Sequence, residues 1–515
     1  MRHLTLASAL LTSMAVTTPA IADSHLMIVD DPLELTVHMH HKRYPAYDED
    51  WPVEQEARRL TNIHLKNATV GSNTDNSGEA INLLLASGKL PDIIGTSRIK
   101  DVVNQYGPQG AFMPLNDLIE EHAPHLKAFF EKRPDIKAAI SAADGNMYYI
   151  PYLPDGKYGR AYFIRYDWLD QLGLDLPQNV DEVKAVLEAF RDGDPNGNGL
   201  KDEVPYFARQ WEELIRLVTL WDGRSSGSDT YHDFYVDSGQ IKHPYAGEGY
   251  REGVKNLAEW YAEGLIDPEV FTRGSSAREY LLSENLGGMT HDWFASTSGY
   301  NRLSSEIDSF VFKAFAPPAS ISGKRIEEHR RIPIKPDGWA IGGTNKHPVE
   351  TIKYFDFWFS PEGRNIVNFG VEGVHWTMED GKAIFTDAIL GTGRPVNSQL
   401  YELGAQLHAR GYFQDYGYEI QWSNEFALEG IALYDEGEYL IDQFLGVAFN
   451  EDEQAVYDKY WPSIRTYMLE RQQAWILGTG DVEADWDAYM GDLDKMGLND
   501  VLAEMQSAYD RQYGS

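Results

Sequence analysis

The sequence predicts an α/β protein built as two lobes, and three observations carry that prediction. The chain has 515 residues, more than one hydrophobic core accommodates, so two folding units are expected. Segments with strand and helix periodicity alternate along it, the pattern of sheets flanked by helices and largely parallel. The pattern also restarts near residue 160, where a second strand–helix series begins. Hydrophobic content of 43% with 13 tryptophans places the chain among folded globular proteins.

The first residues, "MRHLTLASALLTSMAVTTPAIADSH", read as a secretory signal peptide. Arg2 supplies the positive start, an apolar run extends to about Val16, and Ala20-Ile21-Ala22 is the small-x-small cleavage signal. Cleavage is expected after Ala22, giving an exported protein. No later stretch has the ~20 apolar residues of a membrane helix. Cysteine is absent, which removes both disulfides and a lipid anchor at the cleavage site. A Gram-negative periplasm fits these features.

"LELTVHMH" (Leu33 to His40) alternates as a strand. "WPVEQEARRLTNI" follows as a helix with Pro52 in its first turn. "EAINLLLASGKLPDIIG" gives a helix closing near Gly88 and a short strand from Asp92 to Gly95. "MPLNDLIEEHAPHLKAFFEK" reads as one or two short helices, and "GNMYYIPYLPDG" as an aromatic strand. After the restart at "AYFIRYDWLDQLG", Val183, Val186, Leu187 and Phe190 recur at helical spacing, with Asn179 or Asp181 as the cap. "EGVKNLAEWYAEGLIDPEVF" is another amphipathic helix. "GWAIGGTNKHPVETIKYFDFWF" is a strand, a turn and a helix opening at Pro348. The last hundred or so residues are mostly helical.

The net charge is −35, and removing Arg2 with the leader makes it about −36. Such a polyanion does not bind nucleic acid or an anionic membrane through its overall field. An acidic ligand requires a local basic patch against that sign.

The most explicit chemistry lies in "GDPNGNGLKDEVP". Asp194, Asn196 and Asn198 stand at positions 1, 3 and 5 of an oxygen cage, with Gly199 at the turn position. Leu200 offers a backbone carbonyl, and Asp202 follows at position 9. Position 12 is Pro205 rather than glutamate, so Glu203 is the candidate bidentate carboxylate. Proline there opposes an outgoing helix, and a sensor needs two helices to swing apart. The expected cofactor is therefore a structural Ca²⁺, with a metal-free Asx-rich turn as the alternative.

Other chemistry is sparse. His291-Asp292-Trp293 sets an imidazole beside a carboxylate, but no nucleophile signature accompanies it. His38 and His40 fall on one face of a strand, Met39 and His41 on the other, a spacing that suits a strand better than a metal site. No HExxH motif is present. Aromatics carry more: Tyr148, Tyr149 and Tyr152 precede "LPDG", Trp293 sits among small residues, and Trp422 follows "DYGYEIQ". Large rings beside Gly, Asp, Gln and Arg on predicted loops suit sugar recognition, each ring packing on the C–H face of a pyranose.

The stretches "ASGKLPDIIG", "DGNMYYIPYLPDG", "DPNGNG", "GGMTHDWFAST", "HPVETIKYFDF", "DYGYEIQW" and "YDKYWP" together resemble the extracellular solute-binding proteins of ABC importers, and within them the periplasmic alginate-binding proteins. The resemblance spans essentially the whole mature chain. It implies a type II periplasmic-binding-protein fold, two hinged lobes around a deep cleft. The expected lobes are residues 23–150 with about 339–395, and 151–338 with about 396–515, the second carrying the calcium loop. Carried over by position, the stacking aromatics are Tyr152, Trp293 and Trp422. Tyr418, Glu419 and Gln421 are polar contacts beside them, with Gln414 and Arg394 as further candidates. Uronate carboxylates would meet Lys42, Arg43, Lys157, Arg160 or Arg394. The chain departs from the family at Ile420, where an arginine is expected, and in the placement of Lys42 and Arg43. The implied partners are an acidic oligosaccharide and a membrane permease, with the protein a monomer that performs no catalysis. A neutral oligosaccharide, a chemosensory role and a secreted polysaccharide-degrading enzyme are the alternatives.

Overall fold

The computed structural model describes residues 25–42, 44–71, 76–225, 234–296, 299–301, 304, 306–307 and 309–514. The signal peptide and Arg43 lie outside these. Two sheets organise the chain. The first has six strands in the order Tyr412–Phe413, Ile150–Leu153, Gly338–Ile341, Ile93–Thr96, Leu33–His40, Ile63–Asn67. The second has four, in the order Phe312–Phe315, Arg160–Arg165, Gly287–Trp293, Val204–Tyr206. Each supports its own core, one around Val37, Ile94, Trp339 and Trp358, the other around Trp168, Leu187, Trp260 and Ile464.

Local sequence accounts for most elements. Pro52 opens the helix to Thr61, and Asn62 ends it in the left-handed region at φ 62°. Asn76 caps Ser77–Ser87 by accepting from the Gly78 amide, and Gly88 closes that helix at φ 64°. Asn179, rather than Asp181, caps Val180–Asp192 by accepting from the Glu182 amide. The C-terminal region is helical over Glu425–Gly437, Glu451–Ile476, Val482–Lys495 and Leu498–Tyr513.

Two expectations change. The first sheet is largely parallel, with three parallel pairings of five, but both sheets are mixed and the second is mainly antiparallel. In the first, Gly338–Ile341 runs antiparallel to both its neighbours; in the second, Arg160–Arg165 runs antiparallel to both of its own. Each follows a passage from one sheet to the other, Arg160–Arg165 after Ile150–Leu153 and Gly338–Ile341 after Phe312–Phe315. The lobe borders also move. Ile150–Leu153 belongs wholly to the first sheet, and Tyr412–Phe413 pairs with it in parallel. Leu400, Leu407 and Tyr418 accordingly sit in the first core, not the second.

Three chain segments meet where the lobes join. The Arg331 amide donates to the Lys157 carbonyl at 2.8 Å, and the Lys335 amide to the Tyr152 carbonyl at 3.0 Å. The Gln414 amide donates to the Leu153 carbonyl at 2.9 Å, and the Tyr416 amide to Asp155 Oδ2 at 3.2 Å. Short, mutually bonded crossings of this kind are the structural basis of a hinge.

His38 and His40 stack inside the first sheet, their ring centroids 6.0 Å apart. His38 Nδ1 accepts from the Val70 amide at 3.2 Å, which requires a neutral ring. Burial, with His40 beside it, pushes the His38 imidazole down to about 4. A group held neutral in the fold stabilises it fully above the unfolded pKa of about 6.5 and loses that contribution as pH falls toward the folded value. Chemical unfolding between pH 7 and pH 5 is therefore expected to lose stability more steeply for wild type than for His38→Gln, by roughly 1–2 kcal/mol at pH 5. Parallel profiles would exclude His38 as the titrating group.

Candidate functional site

A cleft of about 530 Å³ lies between the lobes. The first lobe lines it with His41, Lys42, Ser97, Tyr152, Asp337 and His408, the second with Trp293, and the crossing segment with Arg330, Arg331 and Lys335. The volume suits a small oligosaccharide or part of a longer one.

Trp293 ends the strand Gly287–Trp293, and the register sets Arg160 directly opposite it. The Arg160 guanidinium lies 4.3 Å from the indole centroid, which is cation–π range. Arg160 is in turn held 3.4 Å from Glu213 and 3.7 Å from Asp292. It supports the ring from behind and is buried, so it is not presented to a ligand. Asp292 anchors this arrangement, accepting from Arg209 at 2.5 Å, Arg278 at 3.2 Å and the Tyr300 hydroxyl. Burial would raise the Asp292 carboxyl, but Arg209 and Arg160 outweigh it and hold the group below its ordinary value. The His-Asp pair of the sequence thus separates: Asp292 braces the tryptophan, while His291 turns away to Glu327 at 2.9 Å.

Tyr152 is almost wholly buried. His408 stacks on it at 4.1 Å and 12°, and Tyr412 tilts against it at 5.0 Å. Burial raises its phenol well above the ordinary value. With one face taken by His408, it offers the cavity an edge rather than an open face. Trp422 is half-buried beside Tyr418, ring centroids 6.1 Å apart, and does not line the cavity.

The polar candidates divide similarly. Glu419 accepts from Arg331 Nη2 at 2.6 Å, and Gln414 Oε1 from Arg331 Nη1 at 3.3 Å, so both orient an arginine that faces the cleft. Gln421 accepts from the Phe385 amide at 2.7 Å and donates to the Ala383 and Gly417 carbonyls, fixing the hairpin Trp376–Phe385. Arg394 pairs with Glu402 on the surface of the first lobe, and Lys157 with Asp435 at 2.8 Å; neither lines the cleft. Lys42 does. Sequence reading missed Arg330, Arg331 and Lys335. Their signal was present as "RRIPIK", a basic run in a strongly acidic chain.

Away from the cleft, the loop Gly193–Glu203 joins the helix Val180–Asp192 to the strand Val204–Tyr206. A strand rather than a second helix follows it, as Pro205 dictates. Asp194 at φ 49° and Gly197 and Gly199 at φ 71° and 76° wind the backbone inward. The Gly199 amide donates to Asp194, and Asn196 and Asn198 donate to Asp202. Both carboxylate oxygens of Glu203 are buried without a hydrogen-bond partner. Burial, then the neighbouring Asp202 and Asp194, raises its carboxyl. A convergent, under-satisfied acidic set of this kind fits a hard cation.

Two lobes around a cleft with an indole at one wall and a cationic rim are the form of a binding protein. Residues 52–365 match the family of bacterial extracellular solute-binding proteins, and the chain belongs to it. Its family is one of carriers, not enzymes. It is 26% identical over 479 residues to the fructooligosaccharide ABC transporter substrate-binding protein FusA of Streptococcus pneumoniae serotype 4, covering 89% of this chain and 86% of that one. The crystal structure of alginate-binding protein AlgQ2 without calcium ion is 50% identical, with a TM-score of 0.81, covering 94% of this chain and 99% of that chain. FusA in complex with kestose shares the fold at 23% identity and a TM-score of 0.71, with 93% and 99% of the two chains covered. Among the described residues no helix is long and apolar enough to cross a membrane.

Proposed function

We propose that the protein captures an acidic oligosaccharide of the alginate class in the interlobe cleft and delivers it to the permease of an ABC importer, acting as a periplasmic monomer. The observation that carries this is the charge of the cleft. Lys42, Arg330, Arg331 and Lys335 gather at one cavity of a chain whose net charge is −35. Arg331 pairs with Glu419 at 2.6 Å and Arg330 with the fully exposed Asp442 at 3.3 Å, and neither carboxylate belongs to the cavity lining. The 50% identity to an alginate-binding protein supports the same ligand class. Trp293 supplies the stacking surface, Tyr152 an edge at the floor, and Trp422 with Tyr418 a station for units extending beyond the cavity. Lobe closure requires that the ligand favour the closed arrangement.

Calorimetry over a range of salt tests the charge argument. Oligomannuronate is expected to lose affinity severalfold between low salt and about 0.5 M, as screening weakens its carboxylate contacts. A neutral oligosaccharide that binds more tightly, with no salt dependence, would overturn the acidic reading in favour of neutral-sugar transport.

We also propose that a structural Ca²⁺ is held by Asp194, Asn196, Asn198, Asp202 and Glu203 with the Leu200 carbonyl. The fit of the loop supports it. So do two relatives, an AlgQ2 structure without calcium ion and a FusA EF-hand mutant. None of these residues lines the cleft, so the ion braces the second lobe rather than touching the ligand.

A further inference from the structure

We propose that the cleft floor is a second metal site, in which His41, Asp337 and His408 hold a divalent transition-metal ion. The Asp337 Oδ2 atom lies 3.8 Å from His41 Nε2 and 4.0 Å from His408 Nδ1. The three ligand atoms all fall within 4.8 Å of one another. The two carboxylate–imidazole separations are only somewhat wider than the ~3.4 Å between two ligands about 2.1 Å from a shared tetrahedral ion. Small side-chain rotations close the difference.

The support around the cluster has the form such sites take. Asp337 is buried, and its other oxygen, Oδ1, is fixed by the Ser97 hydroxyl at 3.0 Å and the Arg98 amide at 2.8 Å, which aims Oδ2 at the two imidazoles. His408 is held by its stack on Tyr152, and His41 by Tyr44, whose ring lies 4.4 Å away. Outer contacts that orient ligands in this way are part of a metal site's design. Two imidazoles and one carboxylate select the zinc, nickel and copper class over calcium or magnesium. The site is distinct from the oxygen-lined loop at Asp194.

All three side chains line the cavity, so the ion would keep an open position facing the ligand. One carboxylate against a divalent ion leaves net positive charge at the floor, in keeping with the cationic rim. That position suits a uronate carboxylate; this role, unlike the site itself, rests on the acidic-ligand reading above.

The test uses the mature protein saturated with calcium, so that the Asp194 loop is filled. Zinc chloride is titrated by calorimetry into wild type, His408→Gln and Asp337→Asn. One zinc per chain is expected in wild type, with affinity at least about tenfold lower in each variant. Cobalt gives an independent readout in wild type alone: a visible absorption band of a low-coordinate ion, displaced by an equivalent of zinc. Absence of a stoichiometric site in wild type, or zinc affinity unchanged in both variants, overturns the proposal. The capture reading is judged separately, by oligomannuronate binding in metal-free buffer, so the two fail independently.

Discussion

Replacing Trp293 with alanine is expected to weaken oligosaccharide capture by about 1–3 kcal/mol, roughly five- to 150-fold in Kd. The reason lies in the position of the ring. One face is covered by the Arg160 guanidinium at 4.3 Å, and the residue itself lines the cavity only half-buried. An indole held rigidly from behind loses little entropy on stacking, so its contact with a sugar appears in affinity almost undiminished. The guanidinium behind the ring is itself fixed, by Asp292 and Glu213, and Asp292 is held in turn by Arg209 and Arg278. Trp293→Phe should recover part of the loss. Unchanged affinity in Trp293→Ala with a lower melting temperature would make the ring a packing element and remove the stacking argument.

Chelation of calcium is expected to destabilise the protein by about 2.7 kcal/mol relative to calcium at a hundred times its Kd. Ligand affinity should change little, since the loop shares no residue with the cleft. Glu203 supplies a sharper version. Its two buried oxygens have no partner, and burial with Asp202 and Asp194 raises its carboxyl. With calcium, Glu203→Gln should abolish most of the calcium-dependent increment. Without calcium, the same substitution should leave the protein as stable as wild type or more so, because it removes a buried, repelled charge. The sign reversal distinguishes a metal clip from an ordinary Asx turn, which would be weakened by the substitution under both conditions. Thermal unfolding of both proteins with and without chelator reads all four states.

The sequence disclosed the parts of this molecule that depend on local chemistry. Pro52, Asn76, Gly88 and Asn179 mark helix ends that local rules predict. The oxygen-rich turn at Asp194 was legible because its residues lie close together in the chain. Strand direction was not, since the antiparallel course of Arg160–Arg165 is defined by pairing with Gly287–Trp293 and Phe312–Phe315, segments more than a hundred residues away. The same holds at the cleft. Trp293 and Tyr152 were identifiable as aromatics near predicted loops. That Arg160 backs the first and His408 covers the second are contacts made by distant segments. Arg394 and Lys157 carry the right charge for a uronate, but surface carboxylates outside the cleft hold them. Gln421 resembles a sugar ligand in sequence and instead fastens a hairpin, because its amide meets the Phe385 amide and the Ala383 carbonyl first.

Native mass spectrometry of the mature protein mixed with alginate oligosaccharides of several lengths and with neutral glycans of matched size decides between acidic and neutral capture. A one-to-one complex with acidic oligomers is expected, each recovered at its original mass, with little occupancy by the neutral set. Complexes dominated by neutral glycans, or acidic oligomers returned as shorter or unsaturated fragments in proportion to the protein added, would contradict that expectation.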